Sequence, residues 1–287
     1  MDRAQLTRRV LQAAQTSRLL GVDFVPVYGG STFVEPAAPI AAAAPAPVPL
    51  AAPAPAAPRT APATGAPQAV LALPAIEIKP VSRRPAHVQE ALDALRERYE
   101  ADAPHQHFVT AHTHIVFGEG DPCARLMFVG EAPGAEEDRT GRPFVGRAGQ
   151  LLNKMIAAMG LERERVYIGN VLKTRPPDNA TPTSEEIRIC APYLFQQIAI
   201  IQPEVIVCLG LPATRALLDT MDSMSRLRGR WASFHAPPPA DRAIPVMPTY
   251  HPAFLLRSYT EENRAKVWSD LRMVMDRLGL AKSAKVP

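Results

Sequence analysis

Cysteine is scarce in this 287-residue chain, which contains Cys123, Cys190 and Cys208. Three scattered cysteines are too few for a disulfide framework, and Cys123 and Cys208 lie in or beside apolar strand-like runs, where thiols are usually buried and inert. Long apolar runs are also missing: outside a region interrupted by prolines no stretch is apolar enough to predict a membrane-spanning helix. The arginine-bearing N-terminus has no continuous apolar core of the kind found in secretory signals. Together these absences predict a cytoplasmic protein.

Two familiar nucleotide-binding signatures are missing as well. The glycine-bearing loop at 130–138 has no lysine followed by serine or threonine, so it is not a Walker loop, and its spacing is not that of a dinucleotide fingerprint. A formal net charge of +4 is compatible with a polyanionic partner such as nucleic acid, although many proteins share such an excess. Charge therefore permits DNA binding without demonstrating it.

Proline is abundant instead, with 31 residues, and most of the excess falls in one alanine-rich region. Proline removes backbone donors and alanine offers little apolar surface, so residues 31–85 are expected to form a disordered, extended linker. Residues 1–30 place apolar side chains at helical spacing among arginines, which predicts a short amphipathic helix. This helix either frays at the terminus or docks on a protein partner. Residues 86–287 are the predicted folded domain.

The pattern within this domain alternates between strands and helices. Apolar runs indicate four strands, at 124–130, 165–172, 205–210 and 243–250. Helical spacing indicates helices at 87–102, 150–159, 184–201, 212–218 and 261–278. Strands separated by helices imply right-handed crossovers, so we expect an α/β fold in which a central four-stranded parallel sheet forms the middle of three α/β/α layers.

In such sheets the ligand crevice lies beyond the carboxyl ends of the strands. The unusual residues collect there: Glu131 in an acidic loop, Asn170 at the end of the second strand and His251 after the fourth. A carboxylate can position water, an amide presents both a donor and an acceptor, and a neutral histidine at a helix start can stabilise developing negative charge. Phe144, placed after a proline and between glycines, suits stacking on a base. The alternatives are a solvated loop for the acidic segment, a turn for Asn170 and a core position for Phe144.

Several residues are candidates for DNA contacts. Arg147 lies in the loop that runs into the predicted helix at 150–159, whose first backbone amides favour a phosphate. Leu255 belongs to an apolar wedge suited to entering a base stack, with Arg257 on a phosphate. Arg228 and Arg230 lie in a basic loop that either contacts phosphates or is simply solvated.

Taken together, these segments resemble the family 4 uracil-DNA glycosylases. The run at 129–152, VGEAPGAEEDRTGRPFVGRAGQLL, is similar to the family's first motif almost throughout. The runs at 166–179, VYIGNVLKTRPPDN, and at 251–257, HPAFLLR, resemble its middle and last motifs. The resemblance spans roughly 116–278, omits the N-terminal region, and implies a four-stranded parallel sheet between helices.

The resemblance also implies a role for each matching residue around the base. Glu131 and Ala132 would line the pocket beside the flipped nucleotide. Phe144 would stack on uracil. Asn170 would read its polar edge.

The remaining roles concern the reaction itself. Glu137 and Asn179 would organise the attacking water or the reacting sugar, and His251 would stabilise the uracil anion as it leaves. The function implied is hydrolysis of the N-glycosidic bond of deoxyuridine in DNA, which releases uracil and leaves an abasic site, as in base excision repair. We expect DNA containing uracil as the partner of a monomeric enzyme, with a further protein partner for the N-terminal helix.

One departure from the family concerns its [4Fe–4S] cluster, which members usually hold with four cysteines. Of that set this chain keeps Cys190; Thr174 stands in the third position, and no cysteine precedes Cys123. One thiolate cannot hold a cluster, so the sequence predicts no iron–sulfur centre, no metal and no other cofactor. Two His-x-His pairs at 105–114 raise zinc as an alternative, but strand alternation would not close a ligand set.

Three other functions remain open from sequence. The chain could recognise uracil or damage in DNA without cleaving it. It could be a hydrolase of the same fold acting on another deaminated base or on free nucleotides. It could also be an adaptor whose N-terminal region carries the main function.

Overall fold

The computed structural model describes residues 84–108 and 110–280. The helix predicted at 1–30, and all but the last two residues of the linker predicted at 31–85, lie outside the described residues. The first described helix, α1, spans Pro85–Asp102 and begins two residues earlier than predicted. Proline is favoured at the first helical position because its φ is already helical and its missing N–H would be unpaired there anyway.

A six-stranded sheet organises the described residues. Its strands are β1 (Glu119–Gly120), β2 (Leu126–Gly130), β3 (Tyr167–Asn170), β4 (Val205–Leu209), β5 (Ala232–Ala236) and β6 (Arg242–Thr249). Their order across the sheet is β1-β3-β2-β4-β6-β5. The four middle strands are mutually parallel, which confirms the predicted parallel core, and β1 and β5 add an antiparallel strand at each edge.

The other helices are α2 (Ala135–Thr140), α3 (Arg147–Ala158), α4 (Ser184–Ile201), α5 (Leu211–Leu218), α6 (Met224–Leu227), α7 (Pro252–Arg257) and α8 (Glu261–Leu278). Short 3-10 turns lie at Pro104–His107, Arg163–Arg165 and Pro177–Asn179. α4 begins at a capping box: the Thr183 hydroxyl accepts from the Glu186 amide, and the Glu186 carboxylate accepts from the Thr183 amide. In the described part of the chain, no helix is long and apolar enough to cross a membrane.

Helices cover both faces of the sheet. Along β2, Met127 and Val129 pack with side chains of α1, α4 and α5, whereas Leu126 and Phe128 pack with α3, α7 and α8. Successive side chains of a strand point to opposite faces, so a strand that is apolar at every position must be covered on both. The predicted three-layer arrangement is confirmed.

The edge strands and α2 were not predicted. β1 has two residues and α2 has six, too few for either periodicity to show. β5 carries one large apolar side chain, Phe234, between small or polar ones, because half of an edge strand remains exposed.

Candidate active site

The carboxyl ends of the four parallel strands meet at one edge of the sheet. β3 lies on one side of β2 in the sheet, and the next strand of the chain, β4, lies on the other side. The strand order therefore reverses between β2 and β4. Such a switch point leaves a crevice between the loops that follow the strands. Glu131 follows β2, Asn170 ends β3, Gly210 follows β4 and His251 follows β6.

Gly130 is the point at which two of the predicted residues meet. It pairs with Asn170 in the β2–β3 register. A Cβ added at Gly130 would lie 2.3 Å from Asn170 Oδ1 and 2.5 Å from Phe144 Cζ, so only glycine fits between them. The Phe144 ring is in turn 5.6 Å from the His251 ring between centroids. The structure thus brings Phe144, Asn170 and His251 together, as the sequence led us to expect.

Asn170 presents an unpaired acceptor at this site. The residue is 1% exposed, and its Oδ1 is buried without a hydrogen-bond partner. Its backbone oxygen accepts from the Lys173 ammonium at 2.8 Å, and Lys173 also donates to Gln197 Oε1. Leaving a buried polar atom unpaired costs free energy, so an orphan of this kind points to a missing ligand. Lys173, which sequence reasoning missed, is fully buried, and burial lowers its pKa to about 7.

His251 caps the N-terminus of α7. Its Nδ1 accepts from the Ala253 amide at 3.0 Å, so in the neutral ring the proton resides on Nε2. Burial, together with the nearby charge of Arg257, lowers the pKa of His251 to about 4. Pro252 is the first residue of this helix, a position that favours proline. The side chain is therefore a neutral donor at neutral pH.

Glu131 is a half-buried carboxyl beside the same arginine. Burial raises its pKa to about 7, opposed by a hydrogen bond from the Thr181 side chain and by the charge of Arg257. Its backbone oxygen accepts from the Leu172 amide, which ties the Glu131 loop to the end of β3. Thr181, two residues beyond the Pro-Pro-Asp-Asn run, was missed, because nothing in a lone threonine marks it in sequence.

The side chains of Glu137 and Asn179 both accept hydrogen bonds from other residues of the protein. Glu137 Oε1 accepts from the amides of Val145 and Gly146, both at 2.9 Å. Asn179 is exposed, and its Oδ1 accepts from Arg175 Nε at 2.9 Å. Their predicted part in organising water stays a prediction. Ala132, partly buried beside Glu131, packs against the core.

The predicted DNA contacts divide into two groups. Arg147, Arg230 and Arg257 are exposed, which suits contact with phosphates. Two other predictions do not fit. Arg228 is bound inside the protein by the carboxylate of the buried Asp270 and by the Lys266 carbonyl, and Leu255 is 3% exposed within the core. α7 turns Leu255 inward because its apolar residues pack on α3 and α8.

Comparison with known proteins identifies relatives across this region. The family model for the uracil DNA glycosylase superfamily matches residues 117–272. A type-4 uracil-DNA glycosylase of Thermotoga maritima is 47% identical over 162 residues, covering 55% of this chain and 80% of that protein. One from Archaeoglobus fulgidus is 42% identical over 177 residues, covering 58% and 83%. A type-5 enzyme of Thermus thermophilus is 31% identical over 179 residues, covering 57% and 79%.

These comparisons contradict the prediction that the chain has no cofactor, because type-4 glycosylases are iron–sulfur cluster enzymes. The described residues nevertheless do not fit a four-cysteine cluster. Burial raises the pKa of the Cys190 thiol to about 12, and the buried Thr174, in the position of the family's third cysteine, has a hydroxyl in place of a thiol. Within residues 84–108 and 110–280, no three histidine, cysteine, aspartate or glutamate side chains lie close enough together to hold a metal ion. We therefore name no ligand set and derive no chemical step through a cluster.

The match covers more than half of the chain, and it includes every residue that forms the crevice described above. The alignments also cover most of the length of the type-4 relatives, at 42% to 47% identity. The family model and the individual relatives therefore point to the same superfamily. The chain belongs to the uracil DNA glycosylase superfamily.

Proposed function

We propose that this chain hydrolyses the N-glycosidic bond of deoxyuridine in DNA, releasing uracil and leaving an abasic site, as a step of base excision repair. Relatives named type-4 uracil-DNA glycosylases support this assignment. The single observation that carries it is the buried, unpaired Oδ1 of Asn170 beside the rings of Phe144 and His251.

The base is recognised by the amide of Asn170. Uracil presents an N–H donor at N3 next to an oxygen acceptor at O4, and the amide offers the complementary oxygen and N–H₂. Cytosine presents the opposite pattern, so it would leave the buried amide unpaired, and a site of this kind rejects such an analogue strongly. Phe144 supplies an aromatic face for the ring of the flipped base.

The reaction separates charge, and two side chains match it. When the bond between N1 and C1′ breaks, its electron pair stays on uracil and the sugar becomes cationic. The Nε2–H of His251 donates to the uracil anion, while the carboxylate of Glu131 favours the cation. Water then adds its oxygen to C1′; of its two protons, one leaves to solvent and the other stays on the new hydroxyl. We assign Asn179 to positioning that water.

The wider assignments follow from the exposed basic residues and from composition. Arg147, Arg230 and Arg257 are our candidates for binding DNA phosphates around the pocket. We also propose a cytoplasmic location, a monomeric state and a protein partner for the helix predicted at 1–30.

Uracil release from single- and double-stranded oligonucleotides tests the function. We expect the unaltered chain to release uracil from both, and Asn170→Ala to lose activity roughly 100-fold or more, because the reading of the base is lost. Asn263→Ala is the matched control, since it removes an amide that bonds the Ser258 carbonyl outside the pocket.

The same assay separates the alternatives. Binding of uracil-containing DNA without release would indicate a non-catalytic damage-binding protein. Release of hypoxanthine or xanthine but not uracil would indicate a glycosylase for another deaminated base. Either outcome would overturn the proposal.

A further inference from the structure

The loop that carries Phe144 has a backbone conformation that it would not adopt unaided. Phe144 has a φ of +51°, in the left-handed region that residues with a side chain rarely occupy. A Cβ at Gly149 would lie 1.8 Å from the Phe144 carbonyl oxygen, so α3 begins in direct contact with this turn. A strained residue of this kind persists only where its surroundings hold it, and such residues cluster at functional sites.

Arg163 holds one side of the turn. Its guanidinium donates to the Pro143 carbonyl at 2.5 Å and to the Phe144 carbonyl at 3.2 Å. The same group is fixed by Glu119, with contacts of 2.9 and 2.6 Å, and by Asn153 Oδ1 at 2.7 Å. The side chain of Arg163 is 14% exposed, so solvent competes little with these bonds. A guanidinium has five N–H donors in a planar fork and can serve all of these acceptors at once, whereas an ammonium has only three.

Glu137 holds the other side. One of its oxygens accepts from the amides of Val145 and Gly146, the two residues after Phe144. The cationic Arg163 thus binds the carbonyl oxygens of Pro143 and Phe144, and the anionic Glu137 binds the two amides that follow. The ring held between them points at Asn170 and His251.

We propose that Arg163, anchored by Glu119, is a positioning residue for the uracil pocket, acting with Glu137 as a clasp that keeps Phe144 in its left-handed conformation. The inference rests on the proposed function, because it assigns the held ring to uracil. Arg163 does not touch substrate; it acts through Phe144.

Arg163→Gln tests the clasp, with Arg125→Gln as a matched control. Arg125 also forks onto a glutamate, Glu204, and onto a backbone carbonyl, that of Leu278, away from the pocket. For Arg163→Gln we expect kcat to fall roughly 100-fold, because small misplacements at a reacting centre cost about that much. KM for DNA should change little, since the phosphate contacts remain, and free uracil should inhibit more weakly. Arg125→Gln should keep kcat and the uracil inhibition constant.

A double variant shows whether the effect passes through Phe144. Adding Arg163→Gln to Phe144→Ala should cost almost nothing further, whereas independent residues would give additive losses. Wild-type kcat and uracil inhibition in Arg163→Gln, or additive losses, would overturn the clasp.

A third variant covers the case in which Arg163→Gln fails to fold. Arg163→Lys keeps a cation beside Glu119 but has three N–H donors in place of five. It cannot hold Glu119, Asn153 and both carbonyls together, so kcat should recover only partly. Full activity in that variant would show that charge alone suffices and would overturn the proposal. If the unaltered chain releases no uracil, the proposed function fails; if it does and Arg163→Gln behaves like Arg125→Gln, only the clasp fails.

Discussion

The pKa values of two titratable residues in the pocket are shifted in opposite directions. Burial lowers the pKa of His251 to about 4 and raises that of Glu131 to about 7. Arg257 acts on both, favouring a neutral imidazole and an ionised carboxylate. Above about pH 7 the pocket therefore holds a neutral imidazole and mainly an ionised carboxylate. In the proposed mechanism these match the departing base and the cationic sugar.

Activity should accordingly depend on the protonation of Glu131. We expect kcat/KM to rise as pH increases through about 7, because the ionised form is the one that stabilises the cationic sugar. Glu131→Gln should lower the plateau and abolish the rise, and a pH–rate profile of both proteins measures this. An unchanged inflection in the variant would assign the titration to another group.

The same shift affects stability in a defined direction. The folded-state pKa of Glu131 lies above its ordinary value of 4.5, so the fold opposes ionisation between about pH 4.5 and 7. Its contribution to the free energy of unfolding is present below that window and is lost as pH rises through it. The carboxylate that the chemistry needs is therefore a destabilising one.

At the scale of elements, the junction between the Phe144 turn and α3 is the tightest contact near the pocket. The helix starts so close to the turn that only glycine is tolerated at its third residue, Gly149. Neighbouring elements of an α/β fold ordinarily pack through side chains, so backbone contact of this kind fixes the loop with little freedom.

Substituting that glycine should distort the pocket. In Gly149→Ala the new methyl group would overlap the Phe144 carbonyl, so we expect a lower melting temperature and a large loss of kcat. Gly169→Ala is the control, because its added Cβ meets nothing nearer than 3.9 Å and its backbone is ordinary strand. Thermal melts together with uracil release compare the two. Equal behaviour of both variants would contradict the account.

At the scale of the whole molecule, one buried carboxylate joins the last helix to the sheet and to the basic loop. Asp270 of α8 is fully buried, accepts from Thr249 Oγ1 at 2.6 Å and binds the guanidinium of Arg228. Burial raises the pKa of Asp270, against the lowering effects of Thr249 and Arg228. Arg228, predicted as a DNA contact, is instead part of the framework.

Removing this carboxylate should destabilise the protein more than removing a surface pair. Asp270→Ala leaves Arg228 and Thr249 without their partner, so we expect a loss of about 3–5 kcal/mol in the free energy of unfolding. Glu204→Ala, which breaks the exposed pair with Arg125, should cost at most about 1 kcal/mol. Urea unfolding of the two variants measures both values. Similar costs would show that the Asp270 network is weaker than its geometry indicates.

Periodicity alone identified much of the architecture. The central strands β2 and β4 are continuous apolar runs, and α4 and α8 begin and end where the pattern and their caps place them. Such elements are predictable because their signal repeats over many residues. β1, β5 and α2 were not, since they are short or lie at an edge where half of the side chains need not be apolar.

The sequence by itself determined the parallel core and the kinds of residue at its carboxyl edge, because local spacing and residue chemistry suffice for both. Only the tertiary structure decided which of those residues work together. Leu255 faces the core and Arg228 binds Asp270, although neighbouring residues in both segments remain exposed. The orientation, burial and hydrogen-bond partners of a side chain depend on residues far away in the sequence. A local sequence pattern therefore does not predict them.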